Sequence, residues 1–179
     1  MTARSIRVVR TPWGFVGMAA SSRGLEEITL PLLSPDEVRR ELGSLAAGGV
    51  EGHPGSPAAG GASAFLDRAA AWLEEYCRDA RGTSPVPVED LAWERVSAFA
   101  GRVLRLLLEI RAGETLTYGQ VAARVGSPRG ARAVGRACAA NPWPLLVPCH
   151  RVVGSRGLGG YGGGLDLKEA LLTWERRNR

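Results

Sequence analysis

The charge of this chain reverses part-way along it, and that reversal limits what it can fold into more than any single motif. Residues 1–90 carry 9 arginines against 12 acidic residues, a net charge of −3. Residues 91–179 carry 14 basic against 6 acidic residues, a net charge of +8. Just before the change lies Gly82–Val88, which holds Pro85 and Pro87 and reads as an extended linker. At roughly 100–200 residues per domain, a chain of 179 residues is one domain or two small ones. A sign change beside a linker favours two, with the boundary near residue 90: one domain over 1–90 and a second over 91–179.

Composition narrows the class further. Apolar residues at 45% and charged residues at 23% exclude wholesale disorder and fibrous repeats. Apolar runs such as Ala69–Leu73 are far short of the ~18 residues a membrane span needs. The arginine-bearing start, Met1–Arg10, has no apolar signal core, so a cytoplasmic protein is expected. Three cysteines, Cys77, Cys138 and Cys149, are an odd count without paired spacing. That argues against a disulfide framework or a zinc knuckle. In the first half Cys77 and His53 are too few to build a metal site.

The acidic half begins with β-rich runs at Val8–Val9, Trp13–Val16 and Glu27–Leu30, punctuated by Pro12 and by Ser21–Gly24. Ser34-Pro35-Asp36-Glu37 reads as a cap opening a helix to about Leu45. Ala47–Gly61, rich in Gly, Ala, Pro and Ser, reads as a flexible loop. Ala64–Arg78 has helical spacing in Phe65, Ala69, Trp72, Leu73 and Tyr76.

The basic half opens with a helix expected over Ala92–Arg111, its stripe made of Phe99, Val103, Leu106, Leu107 and Ile110, and stopped by Gly113. Thr117-Tyr118-Gly119-Gln120 has capping-box spacing and starts a short helix that Gly126 breaks. Ser127-Pro128 is expected to cap a second, from Arg129 to about Ala140, ended by Asn141-Pro142. Two short helices about a glycine turn form a helix-turn-helix pattern, which small helical bundles share. The second helix is nearly bare, with Arg129, Arg132 and Arg136 standing out from Ala131, Ala133, Gly135 and Ala137. Between Glu114 and Asp166 there are six arginines and no acid, a field suited to a polyanion such as nucleic acid or to a solvated face.

The proline-framed run Pro142–Val153 delivers a cysteine followed directly by a histidine. A thiolate is the nucleophilic form and forms more readily near cations, so Arg151 and the basic surroundings are expected to favour it. His150 fits a base acting through a water or a third group. The same pair also fits a small buried side chain beside a structural histidine.

Pro148-Cys149-His150-Arg151-Val152, preceded by Asn141-Pro142, resembles the active-site signature of the O6-alkylguanine-DNA alkyltransferases, also called methylated-DNA–protein-cysteine methyltransferases. The Tyr118 block, Arg132-Ala133-Val134-Gly135, the loop Gly160-Tyr161 to Gly164-Leu165 and Lys168, and Leu171-Leu172 with Glu175 stand in that family's order. The resemblance spans about residues 92–175.

The resemblance implies a set of roles. Cys149 accepts the alkyl group, His150 deprotonates it through a water, and Glu175 orients His150. Asn141 braces the turn between the recognition helix and the strand carrying the cysteine. Arg132 enters the base stack in place of the flipped guanine. Tyr118 binds a phosphate and donates to the extruded base. Tyr161 packs on that base, the carbonyls of Cys149 and Val152 read its amino group, and the Gly162 amide faces O6. Lys168 lies beside the pocket. Arg129, Ala131, Gly135, Arg136 and Arg151 complete the expected DNA contacts. The implied partner is double-stranded DNA carrying O6-alkylguanine, with O4-alkylthymine a further candidate. The protein is expected to act as a monomer, without metal or cofactor, and to be consumed in one turnover.

The implied fold is α+β: a ribonuclease H-like α/β domain with an antiparallel sheet, then a mostly helical, winged-helix-like domain that carries the helix-turn-helix and the cysteine. Two other readings stand beside it. Alkyltransferase-like proteins bind lesions without transfer, but carry Trp where this chain has Cys149. An unrelated Cys-His hydrolase would turn over repeatedly and leaves the Arg132 helix unexplained.

Overall fold

The computed structural model describes residues 4–44, 61–80 and 85–178. The expected loop over 47–60, His53 within it, and the linker residues 82–84 lie outside the described residues. The chain divides into two compact units, Met1–Arg78 with Ser84–Ala92, and Asp79–Thr83 with Trp93–Arg179.

The first unit is built on an antiparallel sheet in the order β1 (Ser5–Thr11), β2 (Gly14–Ser21), β3 (Gly24–Ile28). Successive side chains on a strand alternate between faces. On β2, Gly17 and Ala19 face α1 (Pro35–Ser44), whose Val38 and Leu42 close a cluster with Ile6, Val8, Phe15 and Leu32. Val16, Met18 and Ala20, all buried, take the opposite face, and α2 (Ala62–Arg78) packs along all three strands. The central strand is thus without polar side chains from Gly14 to Ala20 because both its faces are covered. The unit closes on itself where Leu91 bridges Leu25 and the buried Asp90 carboxylate takes a forked pair from Arg68 at 2.5 and 2.7 Å.

The second unit holds α3 (Ala98–Leu107), α4 (Tyr118–Arg124), α5 (Ala131–Ala139) and α6 (Leu165–Arg177), with a short parallel pair, β4 (Leu116–Thr117) against β5 (Val152–Val153). The helix expected from Ala92 to Arg111 is shorter. Trp93–Arg95 is a 3₁₀ turn, and α3 starts only after Ser97, whose hydroxyl accepts from the Ala100 amide. Its buried side is Val103, Leu104 and Leu107, while Phe99 and Leu106 are half-buried. The capping box forms as the spacing predicts: Gln120 donates its amide to Thr117 Oγ1 at 3.2 Å, and the Thr117 amide reaches Gln120 Oε1 at 2.7 Å.

Gly126, at φ 75°, adopts the left-handed conformation that ends α4. Helix α5 then begins two residues later than expected, at Ala131 rather than Arg129. Ser127 does not cap it. The Ser127 carbonyl instead takes the Gly130 amide at 2.7 Å in a tight turn, and Gly130 sits at the helix start without a side-chain cap. Helices α3, α4 and α5 pack on one another, so the helix-turn-helix corner has a third helix behind it. No helix among the described residues is long and apolar enough to cross a membrane.

Candidate active site

The cysteine arrives on a braced turn. Asn141 Nδ2 donates to the Val147 carbonyl at 2.9 Å and its Oδ1 accepts the Trp143 amide at 3.0 Å. Trp143 is fully buried, edge-on against Trp93 at 4.9 Å between ring centroids. Leu145, also buried, takes the left-handed backbone at φ 73°, a conformation rare for a residue with a side chain. Cys149–Arg151 follows as a 3₁₀ turn, not as the strand expected to carry the cysteine, and only Val152–Val153 pairs with β4. That parallel pairing ties the cysteine turn to the residue just before Tyr118.

Cys149 and His150 are both buried. His150 Nε2 lies 2.8 Å from Glu175 Oε1. An ionised carboxylate only accepts, so Nε2 carries the hydrogen and Nδ1 is the basic nitrogen of the neutral ring. Nδ1 is buried with no protein partner, as is the Tyr161 hydroxyl, whose ring stands edge-on to His150 at 6.5 Å. Burial and the nearby charge of Cys149, then Glu175, push the Tyr161 phenol up, so it stays protonated.

Glu175 is the centre of the charge arrangement. Arg151 Nε reaches both carboxylate oxygens, at 3.0 and 3.1 Å, and Nη2 reaches Oε1 at 2.7 Å. The Gly113 amide donates to Oε2 at 2.9 Å, and Arg151 Nη1 donates to the Ile110 carbonyl at 2.6 Å. Burial opposes the charge on Glu175. The hydrogen bond from His150, with the hydrogen bonds and positive charge of Arg151, overcomes it and holds the carboxyl well below the usual carboxylate range.

Arg151 therefore does not stand among DNA-facing residues as expected. It is 8% exposed and its guanidinium is committed inward, because a buried arginine needs a carboxylate and Glu175 supplies one. Nor does Arg151 favour the thiolate. Burial pushes the Cys149 thiol up, and it is opposed by the Asn141 hydrogen bond, the charge of Lys168 and the backbone amides of Cys149 and His150.

Lys168 is fully buried and donates to the Val152 and Gly160 carbonyls at 2.6 and 3.1 Å. Burial lowers its pKa, with the charges of Cys149 and Cys138 working the other way. Its ammonium lies 5.9 Å from the Tyr118 ring centroid and 6.0 Å from that of Tyr161. The Tyr118 hydroxyl donates to the Gly160 carbonyl at 3.2 Å. Gly159, at φ 72°, passes so close to Tyr118 that an added Cβ would sit 2.8 Å from the ring. Only glycine allows that approach.

Sequence residues 98–177 match the family model described as 6-O-methylguanine DNA methyltransferase, DNA binding domain. Over its length the chain is 39% identical to a mouse methylated-DNA–protein-cysteine methyltransferase, across 94% of this chain and 79% of that protein. The human protein of that name is 38% identical across 92% and 77%. The chain belongs to the methylated-DNA–protein-cysteine methyltransferase family. Among solved structures, Mycobacterium tuberculosis O6-methylguanine methyltransferase superposes with a TM-score of 0.70 at 30% identity, covering 99% of this chain and 95% of that one. The Mycobacterium tuberculosis OGT solved in complex with DNA gives 0.68 at 33% identity, covering 97% and 94%. The α+β fold of this methyltransferase-family chain is that of these neighbours.

Within this family member the expected site residues form two groups. Cys149, His150, Glu175, Asn141, Tyr118, Tyr161, Val152 and Lys168 are linked through the contacts above. Arg129, Arg132 and Arg136 are exposed, and Ala131 and Gly135 are half-buried on α5, so this helix keeps its cations outward. Gly162 lies exposed in the loop before α6. The sequence reading missed the clasp of Arg151 on Glu175 and the part of the Gly113 amide in it. One signal was available: an arginine inside the apolar run Val147–Val153 is buried by its neighbours and must find a counter-charge. It also missed Cys138, a half-buried α5 thiol pushed up to about 12 by burial and by the charge of Cys149.

Proposed function

We propose that this chain repairs double-stranded DNA by moving the alkyl group of an O6-alkylguanine onto Cys149 in a single turnover, as a monomer in the cytoplasm. The observation that carries this reading is the Glu175–His150 hydrogen bond, which leaves a buried, unpartnered Nδ1 on the residue adjoining a buried thiol. Such a nitrogen takes the thiol proton through one water. The sulfur then attacks the alkyl carbon, a C–S bond forms and the C–O bond breaks. The guanine oxygen's electron pair is neutralised by a proton delivered through the Tyr118 hydroxyl, so one proton passes overall from Cys149 to the base. The thioether product has no carbonyl for water to attack, and the protein is spent. The thiol is nucleophile and acceptor at once, so the step calls for no cofactor.

The target atom is inside a duplex, so the base must leave the stack. Arg132, exposed on α5, is suited to fill the gap, and the small residues Ala131 and Gly135 beside it suit close approach to a groove. Arg129 and Arg136 contact phosphates without reading sequence. The Cys149 carbonyl already accepts the Val152 amide and the Val152 carbonyl accepts Lys168. Each keeps a second lone pair for the guanine amino group. The Gly162 amide faces O6, and Tyr161 lies along the base.

Intact-protein mass after mixing with a duplex holding one O6-methylguanine tests this. The expected gain is one methylene, about 14 Da, once per chain and absent in Cys149→Ala. Lesion-selective binding without a mass gain would move the chain to the alkyltransferase-like reading.

A further inference from the structure

The transfer reading gives Glu175 the task of orienting His150. An anion that close also has an unwanted effect: alone, it would favour the imidazolium, and an imidazolium cannot take a proton. The structure holds the correction in the residue next to His150. We propose that Arg151 is a positioning residue of the transfer reaction, whose clasp on Glu175 both fixes that carboxylate and balances its charge so that His150 stays a neutral base.

The geometry is specific. The Arg151 guanidinium meets the carboxylate through Nε and Nη2 on the oxygen that also holds His150, with contacts of 3.0 and 2.7 Å to Oε1. Its Nη1 is anchored on the Ile110 carbonyl at 2.6 Å, and the other carboxylate oxygen is anchored on the Gly113 amide at 2.9 Å. Two backbone points from the segment after α3 thus fix the pair in place. The planar, forked donor set is one a lysine cannot reproduce.

The groups facing His150 are few. Helix α6 supplies Glu175 and Lys168, the loop before it supplies the neutral Tyr161, and the turn itself supplies Cys149 and Arg151. Helix α3, which packs on this turn, has its arginines Arg102 and Arg105 exposed. Burial is the largest influence keeping His150 neutral, Glu175 opposes it, and Arg151 and then Lys168 support it. Without the guanidinium the larger of the two charges that offset the carboxylate is lost, leaving only burial and Lys168 against it. This inference rests on the transfer reading for its kinetic consequence, but its physical core concerns His150 alone.

The chain has two histidines, His53 and His150, so a His53→Gln background leaves one imidazole to follow by NMR in the full chain. Arg151→Met is expected to raise the His150 titration midpoint by about one pH unit. The single-turnover rate on an O6-methylguanine duplex should fall about tenfold near about pH 6 and recover to within about threefold near about pH 8.5. Arg151→Lys keeps the charge and should leave the midpoint near that of the parent while losing part of the rate. Arg151→Gln keeps an amide donor without charge, and is expected to repeat the Met result should the Met variant fail to fold. An unmoved midpoint in the uncharged variants, with a rate loss equal at every pH, would overturn the proposal and leave Arg151 a purely structural clamp. The titration needs no alkylated DNA, so a failure of transfer and a failure of this inference give different results.

Discussion

A carboxylate taken out of water costs several kcal/mol unless its charge is met. Glu175 is met on both oxygens, by Arg151, His150 and the Gly113 amide. Glu175→Gln would leave the Arg151 charge buried and unpaired, and is expected to cost about 3–5 kcal/mol near about pH 7. The pH dependence follows from the shifts. The Glu175 carboxyl is depressed from its ordinary 4.5, so its contribution is complete above that value and fades as pH falls below it. His150 is also depressed, from 6.5, so the folded state resists its protonation and loses stability as pH falls below 6.5. Denaturant melts of the parent and Glu175→Gln across this range should therefore converge in acid. Cys149, His150, Asn141 and Glu175 were legible in the sequence because a motif carries them. The part played by Arg151 was not, since its carboxylate lies 24 residues further along the chain.

At the scale of elements, the sequence signals located helices better than their ends. Thr117 and Gln120 cap α4 as their spacing predicts, because the two hydrogen bonds involve neighbours in the chain. The starts of α3 and α5 were misplaced because Ser97 outcompeted an apolar pattern that continued upstream, and because Ser127 spent its carbonyl on a turn. The late start of α5 leaves Arg129 on the turn and Arg132 and Arg136 on the helix, all exposed. Arg129→Ala and Arg136→Ala should each weaken binding to damaged and undamaged duplex equally and reduce the slope of log affinity against log salt by about 0.9. Arg132→Ala is expected to differ. With every lesion site occupied it should still slow transfer if, as proposed, Arg132 fills the stack that the base leaves. Fluorescence anisotropy across a salt series, beside quenched transfer assays, separates the two behaviours.

The molecule as a whole divides its labour between two units. The reversal of charge seen in the sequence follows that division, and the unit that holds Cys149 also holds the exposed arginines of α5. The sheet unit is closed by Arg68 on Asp90, with Asp90 buried and Arg68 half exposed. Asp90→Ala should therefore destabilise the sheet unit by only about 1–2 kcal/mol, because the freed guanidinium can hydrate. The melting temperature should fall by about 2–4 °C for each kcal/mol lost. The transfer rate per folded molecule should stay unchanged, because Asp90 is paired with Arg68 within the sheet unit while the Cys149 cluster is built within the other. The helices of this unit were legible from helical spacing, but the strands only in part: β2 runs on to Ser21 past the β-rich run that ended at Val16, and β3 begins at Gly24 rather than Glu27. The double cover of β2 was not legible, since it depends on which helices return to the sheet.

The chain's one lysine is Lys168, which is fully buried with its ammonium on two carbonyls. For a chemist wishing to tag the protein, this removes the usual scatter of surface amines. An activated ester at mild pH therefore finds no exposed lysine on the folded chain to acylate. Acylation of Lys168 can arise only where its hold on the Val152 and Gly160 carbonyls has come apart, so mapping that one tag by mass serves as a gauge of how often the site opens.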